Sequence, residues 1–424
     1  MRSDFGLNRQ AVWLGLCCLL AVLAYLPALN NGFIADDYVI LKRVEVLKAD
    51  PLYLYQVPPE NFRFVSYVVF GAIKALAGYR SWLFYAFNIG LHVVNILLLW
   101  RFLRIVIPDE LTVRLAVLLF AVFQAPQEAV MWLAAMNETT LFFFALLTLL
   151  AWSRRRFGLA ALAYSFALFS KESAVVIPLL VLLFDWYSRR RPMVREYLYL
   201  LVPSAGFSAL FFFTISHNFM LTNRSYTFGP GALLVLGKSL HRLIWPWLYI
   251  VIALAWTKSR RSPAWAQIGI GLAAVIVPML PYMFIAYQTA LPSRQLYLAS
   301  AVLMTTFAVL LRPLAGSPLL KLFVAVFVAF NIGYLWFRKD RQFEQRAAPT
   351  TQLIWMLRQH RPEATVIEGF PYPYPDIARS ASLAVPGWEE SLLSLKGQGP
   401  DSGGEAPWCL RWNDGTERYE VVSK

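Results

Sequence analysis

Apolar runs, most of them 13 to 24 residues long and read as membrane-crossing helices, recur along most of the chain, many closed at one end by a short basic cluster. The first follows Arg2 and Arg9 and ends near Leu29. It lacks a small-x-small cleavage site before Asn30, so it reads as a retained first span with its amino end in the cytoplasm rather than as a signal peptide. A second run, 82–105, ends among Arg101 and Arg104. The third is broken: 113–123 is short, and Gln124-Ala125-Pro126-Gln127-Glu128 intervenes before 129–135 resumes. Such polar backbone at membrane depth must face protein or a water-filled cavity. Runs at 139–152, 157–169, 174–187, 197–215, 233–256, 265–287, 297–311 and 319–336 bring the expected total to about eleven spans.

Residues 30–80 form the first external loop in this reading. Within it, 64–76 is apolar, with Tyr67 and Lys74 interleaved, but too short to cross, as suits a helix in the interface plane. The clusters Arg154-Arg155-Arg156, Arg189-Arg190-Arg191 and Lys258-Ser259-Arg260-Arg261 fall on the side of the amino terminus, as the positive-inside bias requires. Lys42, Arg43, Lys48, Arg63 and Arg80 crowd the first external loop against that bias, and the later loops decide the orientation. An odd number of spans places the carboxyl terminus outside.

From Arg338 the pattern changes. A polar helical segment to Gln359 leads into a stretch with Pro371, Pro373 and Pro375, then a glycine patch at Gly397, Gly399, Gly403 and Gly404. Two alternating runs about Asn413-Asp414-Gly415 predict a β-hairpin. The expected organisation is an all-α polytopic membrane domain, 1–337, with interfacial helices in its first external loop, and a small external α/β appendage, 338–424. The appendage is below the size that stabilises itself and is expected to pack on the membrane domain. No internal repeat is visible.

Composition agrees. The chain is 58% hydrophobic and 15% charged, with a mean hydropathy of +0.52, which excludes an ordinary soluble globule. The net charge of +14 lies in short clusters between apolar runs, so no basic domain exists to bind nucleic acid. Three cysteines, two of them the adjacent Cys17-Cys18, give neither a disulfide framework nor metal spacing, and four scattered histidines give no transition-metal cluster. No metal ligand or cofactor is assigned, and a divalent cation is left open.

The ionisable residues that composition does not explain gather at the external ends of the spans: Asp36 and Asp37, Arg63, Glu128, Lys171 and Glu172, and Arg294. Their convergence points to a polar cavity at the outer leaflet. One of Asp36 and Asp37 can act as general base toward an acceptor hydroxyl, since like charge and partial burial raise a carboxyl from its reference near 3.9. The bland alternative is a solvated helix-end pair. Arg63, Lys171 and Arg294 can cradle a phosphate leaving group, or each can contact lipid headgroups. Trp132, one turn beyond Glu128, offers a face for a sugar or prenyl chain, or belongs to an interface belt. Asn88, His92 and Asn95 share one helical face and read as interhelical hydrogen bonding. Asn137-Glu138-Thr139 and Asn223-Arg224-Ser225 match glycosylation acceptors but lie in tight loops and carry no weight.

Taken in order, Phe-x-x-Asp-Asp (Phe33 to Asp37), Arg63, Asn-x-x-x-His (Asn88, His92), Pro-x-Glu-Ala-Val-x-Trp (Pro126 to Trp132), Ser-Lys-Glu (Ser170 to Glu172) and Arg-x-Leu-Tyr-Leu (Arg294 to Leu298) resemble the GT-C superfamily of membrane glycosyltransferases. Protein O-mannosyltransferases and lipid A aminoarabinose transferases belong to it. The resemblance spans about residues 10 to 300. It implies a polyprenyl-phosphate-linked sugar as donor, of the undecaprenyl type in a bacterial inner membrane. It implies a glycolipid, glycan or protein acceptor in the cell envelope, and transfer on the extracytoplasmic side with inversion. By position it makes Asp36 or Asp37 the base and Lys171 and Arg294 phosphate contacts, with Arg63 beside them and Glu128, Glu172, Trp132 and His92 in support. Gln124-Ala125-Pro126 stands where many relatives have His-Pro, and Asn137 where many have Arg. The rival readings are a lipid-linked-sugar flippase or transporter, which predicts two related halves with a midplane site, and a scaffold acting through its external domain.

Overall fold

The computed structural model describes residues 2–53, 62–191, 193–213, 226, 228–258, 265–285, 289–396 and 408–422. Asn223-Arg224-Ser225, the basic turn at 259–261 and the glycine patch from Gly397 to Gly404 lie outside the described residues.

The helices run α1 Arg2–Tyr25, α2 Asp36–Ala49, α3 Phe64–Ala77, α4 Ser81–Val106, α5 Glu110–Val122, α6 Met136–Ser153, α7 Phe157–Ser170 and α8 Ile177–Tyr187. There follow α9 Val194–Phe213, α10 Gly231–Ile244, α11 Trp247–Lys258, α12 Trp265–Ile276, α13 Tyr297–Leu311, α14 Pro318–Tyr334, α15 Asp340–Gln359 and α16 Pro375–Ser382. Among the described residues six stretches are long and apolar enough to cross a membrane: Gln10–Asn30, Ser81–Val106, Leu133–Ser153, Val194–Phe213, Ser293–Leu314 and Pro318–Gln359. The pair α10 and α11, bent by 62°, makes a seventh if counted as one crossing. The chain is an integral membrane protein. The other expected spans form shorter helices; α5, for instance, stops at Val122, before Gln124-Ala125-Pro126, and α7 covers only Phe157–Ser170.

Helices α4, α5, α6 and α13 form the centre of the bundle, where His92, Phe120, Phe142 and Tyr297 meet edge to face at 5.4–5.7 Å. Helix α9 lies at the rim, with 17% of its apolar window buried against 72% for Leu133–Ser153. It therefore offers its length to lipid. The polar face of α4 repairs the break after α5. Asn88 Nδ2 donates to the carbonyls of Ala129 (2.8 Å) and Val130 (2.9 Å), and Asn88 Oδ1 accepts from Thr139 Oγ1 (2.6 Å). Asn95 Nδ2 donates to the Thr139 carbonyl at 2.9 Å. A chain that leaves the helix inside an apolar bundle needs such partners for its freed carbonyls.

A second layer covers the end of the bundle that carries the Asp pair. Helices α2 and α3 share one apolar cluster with α15, α16 and a four-stranded sheet, joining Tyr38 and Leu41 to Leu353, Leu357, Trp388 and Leu410. The sheet order is β2-β1-β3-β4, with β1 Thr365–Glu368 parallel to β2 Leu393–Leu395 and to β3 Trp408–Asn413. β3 pairs antiparallel with β4 Arg418–Val422 across Asp414-Gly415. The carboxyl-terminal region is not joined by a linker: α14 passes through a π-helical turn, Leu335–Lys339, directly into α15, so residue 338 lies inside one helical run, Pro318–Gln359.

Helix α15 clamps the extended segment before the Asp pair. Thr350 Oγ1 donates to the Phe33 carbonyl at 2.9 Å, and a Cβ on Gly32 would collide with Thr351 Oγ1. Gly32→Ala should therefore lower stability by about 1 kcal/mol. Thr351→Ala in the same chain should restore it, as thermal unfolding of the two single variants and the double variant in detergent would show.

Candidate functional site

Asp36 and Asp37 open α2, where the unpaired N–H groups of a helix start favour carboxylates. The turn that delivers them is strained: Ala35, a non-glycine residue, sits at φ 42°. The two acids have different surroundings. Asp37 is fully buried; its Oδ2 accepts from the Ile34 N–H and its Oδ1 from the Ala134 N–H, each at 2.8 Å. Burial pushes its carboxyl up to about 8, with Asp36 adding to the rise, against the two backbone bonds and Arg346, which pull it down. Asp37 thus pins the 31–37 turn to the turn at Leu133–Ala135. Asp36 is exposed on the outer side of the same turn.

Beside this turn lies a cationic cluster. Glu128 Oε1 accepts from Arg346 Nη1 at 3.1 Å and Glu128 Oε2 from Arg294 Nη1 at 3.4 Å. Both guanidiniums also lie against the Trp132 ring, Arg346 at 4.4 Å from its centroid and Arg294 at 4.8 Å. Cation–π contact with a buried indole fixes where they point. Burial would raise Glu128, but the two arginines hold it below the usual carboxylate range. Lys339 interacts electrostatically with the same Glu128 and Arg346. Three cations therefore face one carboxylate, and the cluster keeps a net positive charge beside the acid pair. Trp132 and Ala134, two residues apart, tie the halves together: one carries the arginines and the other holds Asp37.

A second cluster uses a different set of elements. Arg63, just before α3, makes a bidentate pair with Glu172, with Nε to Oε2 at 3.0 Å and Nη2 to Oε1 at 2.7 Å. Burial would raise Glu172, yet Arg63 draws it down to about 2. Lys171 Nζ donates to Glu138 Oε1 at 2.5 Å and lies 5.1 Å from the Tyr282 ring centroid. The Tyr282 hydroxyl is 3.1 Å from Glu138 Oε1 and 2.5 Å from Ser173 Oγ. Here each cation is already answered by a carboxylate.

Of the residues singled out from the sequence, Asp36, Asp37, Glu128, Trp132 and Arg294 come together in one region, and Arg63, Lys171 and Glu172 in the second cluster. His92 joins neither. It is buried in the bundle centre, its Nδ1 2.5 Å from the Tyr297 hydroxyl and its Nε2 3.2 Å from the Ala121 carbonyl, so it fastens helices. Sequence reading did not single out Arg346, Lys339, Glu138, Tyr282, Ser173 or Tyr372, whose hydroxyl donates to the Arg346 carbonyl. A signal existed for Glu138: it is a carboxylate within the first turn of an otherwise apolar helix. None existed for Arg346, one of several arginines on a polar helix after the final span. Among the described residues, no three or more His, Cys, Asp or Glu side chains are grouped to hold a metal ion. The buried Trp132 Nε1 and both side-chain polar atoms of Asn31 have no hydrogen-bond partner there.

No protein-family model and no curated protein matches the chain. Among solved structures, it is similar to the crystal structure of the Archaeoglobus fulgidus oligosaccharyltransferase tethered to an acceptor peptide, with a TM-score of 0.41 and 14% identity. The match covers 84% of this chain and spans 61% of the length of that one.

Proposed function

We propose that this protein is an integral-membrane glycosyltransferase that moves one sugar from a polyprenyl-phosphate donor to a hydroxyl of a cell-envelope glycolipid, glycan or protein. One observation carries the reading: an exposed carboxylate on a strained helix start, Asp36, is held beside a cluster in which Arg294, Arg346 and Lys339 outnumber Glu128. In a single displacement the acceptor oxygen bonds to the anomeric carbon as the carbon–oxygen bond to phosphate breaks, with inversion. The acceptor proton passes to Asp36, and the charge growing on the departing phosphate meets the arginines. Trp132 orients the two guanidiniums, and the Arg63–Glu172 and Lys171–Glu138 pairs brace the neighbouring wall.

The orientation follows from charge. Both triple-arginine turns close the ends of α6 and α8 away from the Asp pair, so the positive-inside bias supports an extracytoplasmic site, in a bacterial inner membrane on the undecaprenyl reading. An eleven-span arrangement would take α5, α7, α8, α12 and the bent pair as crossings beside the six long spans, with α3 in the interface plane.

The test uses the purified full chain in nanodiscs with a panel of polyprenyl-phosphate sugars, following release of polyprenyl phosphate. Arg346→Gln should cut turnover on the order of 10²-fold, the scale of losing one group aimed at developing negative charge. Wild-type turnover in that variant would remove the leaving-group role.

A further inference from the structure

Helices α6 and α8 end alike. In each, the chain turns through one arginine in the left-handed region, Arg155 at φ 58° and Arg189 at φ 52°. The next N–H in each case reaches back to a carbonyl of the last turn, Arg156 to Ala151 and Arg190 to Asp185, both at 2.9 Å. This is the Schellman cap, usually built on glycine, and it fixes the direction of the flanking arginines. The two turns then differ in what their arginines meet. Between them, a pocket of about 130 Å³ holds Asp185 and Glu196 and is lined by Arg190 and Arg191 of the second turn and Arg155 of the first, with Arg190 Nη1 3.7 Å from Asp185 Oδ1. The second turn and Arg155 therefore have acids beside them, while Arg154 and Arg156 do not line this pocket.

The first turn opens on a larger space with no acid in it. A groove of about 470 Å³ runs between α4, α6 and α7, and Arg101, Arg154 and Arg156 are the charged residues that line it. The rest of its wall is apolar. On α7 the lining residues Leu159, Leu162 and Phe166 follow one helical stripe and are 54%, 53% and 42% exposed, so the groove faces lipid. On α6 the wall runs from Phe144 to Arg154, about 15 Å at 1.5 Å per residue. Its volume falls within the roughly 300–1,000 Å³ usual for ligand sites. The arginine end of the groove lies away from the acid pair: the 18 residues of α6 separate the Arg154 turn from the Leu133–Ala135 turn by about 27 Å.

We infer that this groove is a binding site for one anionic phospholipid, its phosphate held by Arg101, Arg154 and Arg156 and one acyl chain lying along the α6–α7 wall. The occupant follows from the lining. Three exposed arginines whose side chains border the groove suit a phosphate at its rim, which accepts paired N–H bonds, and a long apolar wall open to the bilayer suits a chain covalently joined to it. A zwitterionic lipid offers the same chain but carries its own cation.

Native mass spectrometry of the delipidated full chain in detergent tests this, with phosphatidylglycerol and phosphatidylcholine of identical chains supplied in equal amounts. The wild type should retain one phosphatidylglycerol in preference to phosphatidylcholine, and each arginine changed to glutamine should weaken that preference about fivefold. Arg189→Gln with Arg191→Gln should leave it intact, because that turn is outside the groove. Excess inorganic phosphate, which has no chain, should not displace the lipid. Equal retention of both lipids, equal loss in the two sets of variants, or displacement by inorganic phosphate would each overturn the assignment. Thermal unfolding of every variant separates loss of lipid from loss of fold. None of these readouts depends on sugar transfer.

Discussion

Asp36→Asn should reduce sugar transfer on the order of 10³-fold or more and leave the unfolding midpoint close to wild type. The loss is that of a general base whose replacement cannot accept the acceptor's proton. Preserved stability follows from exposure: Asp36 lies at the surface, where exchanging a carboxylate for an amide of the same shape costs little, whereas Asp37 is buried. Asp37→Asn should behave differently. Both Asp37 oxygens accept backbone N–H groups, so an amide nitrogen in either place sets a donor against a donor in a buried site, costing about 1–3 kcal/mol. That variant should lose stability first and activity through it. Measuring product formation and unfolding for both variants separates the roles. A stable Asp37→Asn that has lost transfer, beside an active Asp36→Asn, would reverse them.

The other large effect is expected at the Lys171–Glu138 pair, where both side chains are about 95% buried. Lys171→Met leaves the Glu138 carboxylate uncompensated beside Tyr282, and breaking a buried pair from one side costs about 3–5 kcal/mol. Replacing both partners, Lys171→Met with Glu138→Leu, should recover most of that loss, because two apolar groups no longer require each other. Unfolding of the two single variants and the double variant in detergent reads the coupling directly. Singles that unfold like wild type would mean that water reaches the pair.

Much of this architecture was legible in the sequence because apolar period and turn chemistry are local. The broken span at Gln124–Glu128, the helix after Arg338 and the hairpin about Asp414-Gly415 each announce themselves within a dozen residues. The Asn88, His92 and Asn95 face signals hydrogen bonding between helices, and its partners are backbone carbonyls, the Thr139 hydroxyl and Tyr297. Which charges pair was not legible. Lys171 and Glu172 are adjacent, yet one turns to Glu138 and the other to Arg63. No local pattern distinguishes these choices, since each depends on where α3, α6 and the turn after α7 meet. Arg346 was hidden for a related reason. A change of composition at 338 looks like a domain boundary, but the helix continues through it and carries the arginine back to Trp132.

That continuity runs through the π-helical turn at Leu335–Lys339, which holds one residue more than an α-helix would. At 3.6 residues per turn, the extra residue rotates everything beyond it by about 100°. The azimuth of Arg346, and with it the side on which the roof of the bundle meets Glu128, is thus set by a single-residue insertion in the helix below.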